Sequence, residues 1–296
     1  NLYYLEWDGT WILQTVFGTD RNISGFVLGE VEDIVTACDF CGPGDHDYMA
    51  YVGPPAQYDF MGATQFRLLC TLGLRAHHTL LDFGCGSLRA GRLFINYLDA
   101  DKYFGIDPNK WLIDDCIANQ LGNDLIRIKK PRFDFSDDFS VNFDVRFDFI
   151  VAQSIFSHTG SDLVQIALPN LMGALKDDGI MVMTFVEGEK SSGEKGWVYP
   201  GCVEFTPREV TGFLRDTGAF ARKIPWYHPR QSWYLLAKKK DRLPAESMNR
   251  YLTGAVLFDP GFADSVKGDE RNDRLMSRAK RFLGNILSPG FKRGFS

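Results

Sequence analysis

The segment Thr79–Gly86, T-L-L-D-F-G-C-G, constrains this chain more than any other. Its apolar start reads as a strand buried on both faces, the pattern of a parallel sheet rather than a half-exposed antiparallel one. Gly84 and Gly86 bracket Cys85, and a helical pattern follows from about Leu88 to Leu98. A strand, a tight glycine turn and a helix bring a ligand onto backbone N–H groups at a helix N-terminus. Glycine makes that turn without a Cβ where the ligand approaches. The expectation is an α/β fold with a ligand at the C-terminal edge of the strands.

The flanking sequence extends the pattern. Residues 46–240 alternate apolar strands with helical stretches, as an α/β domain does. Strands are expected at Lys102–Asp107, near 125–135, at Phe147–Gln153 and at Gly179–Phe185. Helices are expected around Trp111–Gln120, through Leu163–Leu175 and over 206–218, the last with Thr206 as N-cap and Pro207 in its first turn. Two more strands, near Ala221–Trp226 and Ser232–Lys238, are expected on either side of a tight turn at H-P-R-Q-S. Residues 1–45 are rich in aromatic and β-branched residues with Gly and Asp turns, and read as short strands or hairpins. Residues 241–296 are Arg-rich and end in an amphipathic helical pattern over 271–287.

The ligand's chemistry is constrained by three positions. A dinucleotide fingerprint, G-x-G-x-x-G, would place glycine where Arg89 stands, and the third glycine comes two places late, at Gly91. Asp82, just before the loop, suits a cationic group better than a pyrophosphate. Asp107 ends the second strand, where an acid accepts hydrogen bonds from ribose hydroxyls. A ribose, an ammonium group and no phosphate describe S-adenosylmethionine.

At these residues the chain resembles a family. L-D-F-G-C-G followed by Y-F-G-I-D looks like motifs I and II of class I S-adenosylmethionine-dependent methyltransferases. F-D-F-I-V-A-Q-S-I-F-S-H resembles the family's fourth strand and its loop, and L-M-G-A-L-K-D-D-G-I-M-V-M-T-F the next helix, turn and strand. Y-V-G-P-P-A-Q-Y-D-F-M-G-A-T-Q-F-R-L-L resembles the preceding helix of a bacterial subgroup acting on small molecules or glycans. The resemblance covers roughly residues 50–240. It implies a Rossmann-like, doubly wound, seven-stranded, mostly parallel sheet with an antiparallel final hairpin. It also implies that Gly84, Cys85, Gly86 and Ser87 line the methionine moiety and that Asp82 orients it. Asp107 takes the ribose hydroxyls, Pro108 lies beside the adenosine, and Asp134 or Phe135 touches adenine. Gln153 and Ser154 point toward the sulfonium, and Tyr58 and Gln65 close the pocket. Arg89 either pairs with the cofactor carboxylate or is a surface helix residue.

Methyl transfer is an in-line displacement on an activated methyl, so the protein chiefly supplies proximity and orientation. A hydroxyl acceptor gains from a general base. His158, His228 and Glu187 are the candidates by position. The plainer readings are a residue at the start of the helix near Ser161 for His158, a turn residue before Pro229 for His228, and a solvated loop acid for Glu187. The Gly-, Lys- and Glu-rich segment 186–205 reads as a substrate lid. Trp197, Tyr199, Trp226, Tyr227 and Trp233 offer stacking faces for a sugar or aromatic acceptor, or are core.

Composition excludes some classes. A net charge of −5 argues against a dedicated nucleic-acid binder, as do the absence of an N-P-P-Y-like loop and of a Pro-Cys or Thr-Cys nucleophile pair. The start of the chain does not read as a signal peptide, and six cysteines in 296 residues are too few for a disulfide scaffold, so a cytoplasmic protein is expected. Cys38-x-x-Cys41 with His46 is half a zinc pattern without a second pair, so no metal is expected. The 271–287 pattern suits an anionic membrane surface, or docking on the domain or on a second subunit of a homo-oligomer. The reading is a methyltransferase acting on a small-molecule or glycan acceptor, at a hydroxyl oxygen. The alternatives are a non-catalytic S-adenosylmethionine-binding module and a nucleotide-dependent oxidoreductase.

Overall fold

A computed structural model describes residues 2–7, 10–15 and 42–254. The Cys38-x-x-Cys41 pair and the 271–287 pattern lie outside the described residues. The chain divides into two compact units, Asn1–Asp39 and Phe40–Ser296. In the first, β1 (Leu2–Trp7) and β2 (Thr10–Thr15) form an antiparallel hairpin with Trp7 opposite Thr10.

The second unit is built on one sheet. Its strands are β3 (Leu80–Phe83), β4 (Tyr103–Ile106), β5 (Arg132–Asp134), β6 (Phe147–Ala152), β7 (Leu175–Glu187), β8 (Glu204–Phe205), β9 (Phe220–Ile224) and β10 (Ser232–Ala237). The helices are α1 (Tyr48–Tyr51), α2 (Tyr58–Thr71), α3 (Gly91–Tyr97), α4 (Lys110–Cys116), α5 (Asn123–Lys129), α6 (Ser161–Ala174) and α7 (Pro207–Asp216). The spatial order is β5-β4-β3-β6-β7-β10-β9, with two-residue β8 beside the end of β7. Pairing is parallel from β5 to β7, whereas β10 is antiparallel to both β7 and β9. This is the mostly parallel sheet with a reversed final hairpin that the sequence suggested, with short β8 added.

The chain moves outward from β3 through β4 to β5, then returns to place β6 on the other side of β3. That reversal opens a crevice above the C-terminal ends of β3 and β6, where open α/β sheets bind ligands. Strand alternation divides the core into two layers. Leu80, Phe149, Ile180 and Leu235 face one cluster with Leu68, Phe94 and Trp233. Their neighbours Leu81, Ile150, Met181 and Leu236 face another with Val164, Leu168 and Leu214. Each large apolar side chain buried this way contributes about 1.5–3 kcal/mol.

Three local expectations are adjusted. Most of the predicted third strand is helix: Asn123–Lys129 forms α5, with Asp124 in its first turn and Arg127 and Lys129 in its last, as the helix dipole favours. Only Arg132–Asp134 pairs with β4. The helix around Trp111–Gln120 ends as α4 at Cys116, and Ile117–Leu121 continue it as a π turn. The turn between β9 and β10 spans 225–231 rather than being tight. At α7 the expected cap is formed as a reciprocal box: Glu209 N donates to Thr206 Oγ1 at 3.3 Å, and Thr206 N to Glu209 Oε2 at 2.8 Å.

Candidate active site

The turn after β3 carries Gly84 at φ +74° and Gly86 at φ +50°, a region L-residues rarely enter. A Cβ on Gly86 would stand 2.8 Å from Val52 Cγ1, and one on Gly84 would collide with the side chain of Ile155. The third glycine of the sequence argument has a different task. A Cβ on Gly91 would collide with the Tyr103 hydroxyl, which donates to Asp82 Oδ2 at 2.8 Å. Gly91 thus makes room for the one hydrogen bond that anchors the buried Asp82.

Asp82 and Asp107 sit at the ends of β3 and β4, and both are buried. Burial raises the Asp82 carboxyl to about 7, against the lowering pull of Tyr103. Asp107 is raised by burial too, but hydrogen bonds oppose the shift. Its Oδ2 accepts Gly86 N at 2.9 Å, and its Oδ1 accepts Asn109 N at 2.9 Å and Asn109 Nδ2 at 3.1 Å. One carboxylate therefore ties the glycine turn to the start of α4.

A polar network crosses the crevice. Arg89 donates to Val52 O at 2.9 Å and to Gln153 Oε1 at 2.7 Å. It forms no salt bridge among the described residues, and burial lowers its guanidinium to about 10, still cationic at neutral pH. Gln153 Oε1 also accepts from Gln65 Nε2 at 3.1 Å, while Gln153 Nε2 donates to Ser154 Oγ. Ser154 takes φ +61° at the end of β6, and its N donates to Thr184 Oγ1 at 2.8 Å.

These groups line two adjoining cavities. The first takes in Asp82, Gly84, Cys85, Gly86, Arg89, Gln65, Gln153, Ser154 and His158. The second takes in Pro108, Ser136, Asp137 and Phe139. Tyr51, Gly84, Asp107, Asn109, Ile155 and Trp197 border both. Among the described residues no group of three metal-ligating side chains comes together, and no helix is long and apolar enough to cross a membrane.

The two histidines differ. His158 Nδ1 lies 2.6 Å from Gly201 O, a pure acceptor, so Nδ1 carries the proton and Nε2 keeps its lone pair. Burial lowers its pKa. His228 is the reverse: Nδ1 accepts Arg230 N at 3.2 Å and Gln231 N at 3.0 Å, and Nε2 faces Gln153 Nε2 at 3.0 Å. Its lone pair is already used, and burial followed by the charges of Arg89 and Arg230 drives its pKa to about 3. His228 lines neither cavity of the crevice described above.

Glu187 lines neither of these cavities. It borders a separate cavity beside α7, and Lys223, Tyr234 and Ser232 all bond its carboxylate. Burial alone would raise that carboxyl, but these partners hold it below the ordinary range. Asp134 and Phe135 do not line either cavity. The Asp134 carboxylate turns back to Ser136 N at 3.0 Å and Asn142 Nδ2 at 3.2 Å, and Ser136 and Asp137 reach the crevice instead. Tyr58 and Ser87 lie behind the wall: the Tyr58 hydroxyl donates to Ser87 O at 2.7 Å and props the turn from outside the cavity. Of the five aromatics, Trp226 and Trp233 are core and only Trp197 and Tyr199 line the crevice.

The sequence reading missed Tyr51, Asn109, Ile155 and Phe139. Asn109 carried a signal, following Asp107 in D-P-N. Ile155 and Phe139 are ordinary apolar residues brought in by chain reversal.

Comparison with known proteins places the same stretch. A methyltransferase-domain family model matches residues 81–181, from β3 into β7. No curated protein matches by sequence. Among solved structures, the glycopeptide N-methyltransferase MtfA is 11% identical over 60% of this chain and 90% of its own, at a TM-score of 0.48. A TehB-like methyltransferase from Corynebacterium glutamicum is 21% identical over 60% of this chain and 88% of its own, at 0.43. The magnesium protoporphyrin IX methyltransferase of Synechocystis with bound S-adenosylhomocysteine is 11% identical over 66% and 90%, at 0.47. Likeness at this level assigns no residue. The strand–glycine turn–helix and the two strand-end aspartates lie inside the matched methyltransferase domain, and the reversed hairpin follows it.

Proposed function

We propose that the chain transfers a methyl group to a hydroxyl oxygen of a small-molecule or glycan acceptor, with His158 as general base. The observation that carries this reading is the His158–Gly201 hydrogen bond of 2.6 Å, which holds the Nε2 lone pair available in a ring bordering the crevice. Neither alternative, the non-catalytic module or the oxidoreductase, is favoured.

The crevice residues suit S-adenosylmethionine. Asp107, with three of its about four acceptor sites taken by Gly86 and Asn109, retains one on Oδ2 for a ribose hydroxyl. Asp82 offers a carboxylate to an ammonium group, and Arg89, with no anionic partner among the described residues, offers a guanidinium to a carboxylate. Pro108, Ser136 and Asp137 stand where an adenine would follow the ribose, and Gly84, Cys85 and Gly86 let a ligand approach the turn. When bound, the cofactor supplies a methyl carbon on a sulfonium, and the electron pair of the broken C–S bond returns to sulfur. The chain's part is to hold the acceptor oxygen in line and to take its proton on His158 Nε2, the Nδ1–H remaining on Gly201 O.

The test is incubation with methyl-labelled cofactor and a panel of hydroxyl compounds, with the product's methyl position read by NMR. A methyl ether formed by the wild type and lost with His158→Ala supports the reading. Methylation on nitrogen or carbon overturns it.

A further inference from the structure

The wall of the crevice beyond the cofactor residues is aromatic, and it is held still. Trp197 is a large apolar side chain left 51% exposed. Its indole lies nearly parallel to the Tyr199 ring, 28° between planes with centroids 6.2 Å apart. His158 stands edge-on to both, at 5.9 and 4.7 Å, and Phe139 borders the indole at 6.4 Å. The segment that carries these rings reads in sequence as a lid, yet it is bonded along its length to the loop after β6. Gly160 N donates to Gly196 O at 2.8 Å, Val198 N to His158 O at 3.0 Å and Val203 N to Ser157 O at 2.7 Å. Gly196 N donates to both oxygens of Asp162, at 3.0 and 3.2 Å. Exposed aromatic surface with its backbone fixed in advance is a binding face whose ordering cost has been met on folding.

Resting on the methyltransferase reading above, we infer that the acceptor is an aromatic hydroxyl compound, a phenol, whose ring lies against Trp197 and Tyr199 with its oxygen toward His158 Nε2. Charge supports the choice. Among the described residues Arg89 is the one lysine or arginine lining the two cavities, where it faces Gln153 and Val52, and Arg230 is near enough to act on His158, so no cluster of cations lines the described walls for a phosphorylated acceptor. The base agrees as well. Burial makes His158 a weaker base than free imidazole. Such a base is better matched to a phenol, with a pKa of about 10, than to an alkyl hydroxyl nearer the ~15.7 of water. The proton moves from the phenol oxygen to Nε2 as the new O–C bond forms.

The experiment titrates the full chain, saturated with S-adenosylhomocysteine, with 2-naphthol and separately with methyl β-glucopyranoside, following each by saturation-transfer NMR. The expected result is binding of the naphthol, weakened about tenfold or more by Trp197→Ala and largely retained by Trp197→Phe, with no binding of the glycoside. Trp197 is half exposed, so its loss leaves the core intact. Glycoside binding equal to naphthol binding, naphthol binding indifferent to Trp197→Ala, or S-adenosylhomocysteine binding without either probe would overturn the phenol inference and leave the methyltransferase reading standing. Failure of S-adenosylhomocysteine itself to bind would overturn both.

Discussion

The loop after β6 brings His158 to the border of the crevice, the loop between β9 and β10 holds His228 outside its lining against Gln153, and the two side chains have opposite chemistry. His158 meets a carbonyl, Gly201 O, at Nδ1, and His228 meets two backbone N–H groups. A carbonyl forces the proton onto Nδ1 and frees Nε2, whereas N–H donors consume the Nδ1 lone pair. The residue type says only that a proton switch is possible; the backbone groups opposite the ring decide which nitrogen is available. The two aspartates repeat the lesson. Asp107 accepts three hydrogen bonds, which oppose the rise that burial causes, whereas Asp82 accepts one and burial raises it to about 7.

The strongest way to break the comparison is to remove each histidine. His158→Ala is expected to lower methyl transfer by about 10²–10⁴-fold while S-adenosylhomocysteine affinity holds, as loss of a general base does. Equal losses from His158→Ala and His228→Ala would erase the distinction. Asp107→Ala comes next. It removes the acceptor for ribose and the tie to Gly86, and calorimetry should show affinity for S-adenosylhomocysteine falling by roughly 10–100-fold.

His228→Ala should act mainly on stability. It leaves the backbone N–H groups of Arg230 and Gln231 without an acceptor, costing about 1–3 kcal/mol in a denaturant titration. Its effect on transfer should be far smaller than that of His158→Ala.

Asp82 sharpens the second contrast through pH. Its carboxyl titrates at about 7 in the free chain. The ionised form, present above that pH, is the one that attracts an ammonium group. Cofactor affinity should therefore rise as pH increases through 7 and fall below it, with proton release on binding seen as buffer-dependent heat at pH 6.5 and absent at pH 9 (both about half a unit or more from ~7). Asp82→Asn should flatten the profile, and a profile unchanged by that variant would count against the role. The smallest effect is expected from Glu187→Gln. It weakens the bond to Lys223, a partly exposed pair, at a cost near ~0.5–1 kcal/mol of stability. A large loss of methyl transfer there would return Glu187 to the site.

Much of this was legible because it depends on neighbours in sequence. T-L-L-D-F-G-C-G must be strand and turn: the apolar run needs two covered faces and the glycines take positive φ. Thr206, Pro207 and Glu209 carry their helix start within four residues. The third strand was misjudged where local signals conflict. Leu125, Ile126 and Ile128 look strand-like by composition, yet the charges of Asp124, Arg127 and Lys129 sit at the correct ends of a helix. The residues after β5 that line the crevice are Ser136 and Asp137 rather than Asp134 or Phe135, since β5 ends at Asp134 and the chain reaches the cavity two residues later.

By itself the sequence determined the order of strands and helices, the glycine turn and the two strand-end acids, because each follows from side-chain periodicity and backbone sterics over a few residues. Tertiary structure alone decided which histidine keeps a lone pair, which aromatics are wall and which are core, and that 188–203 is a bonded wall. Those outcomes depend on pairs distant in sequence, His158 with Gly201, Asp162 with Gly196 and Trp226 with Thr64. A hydrogen bond or a buried face exists only once folding has brought both partners together.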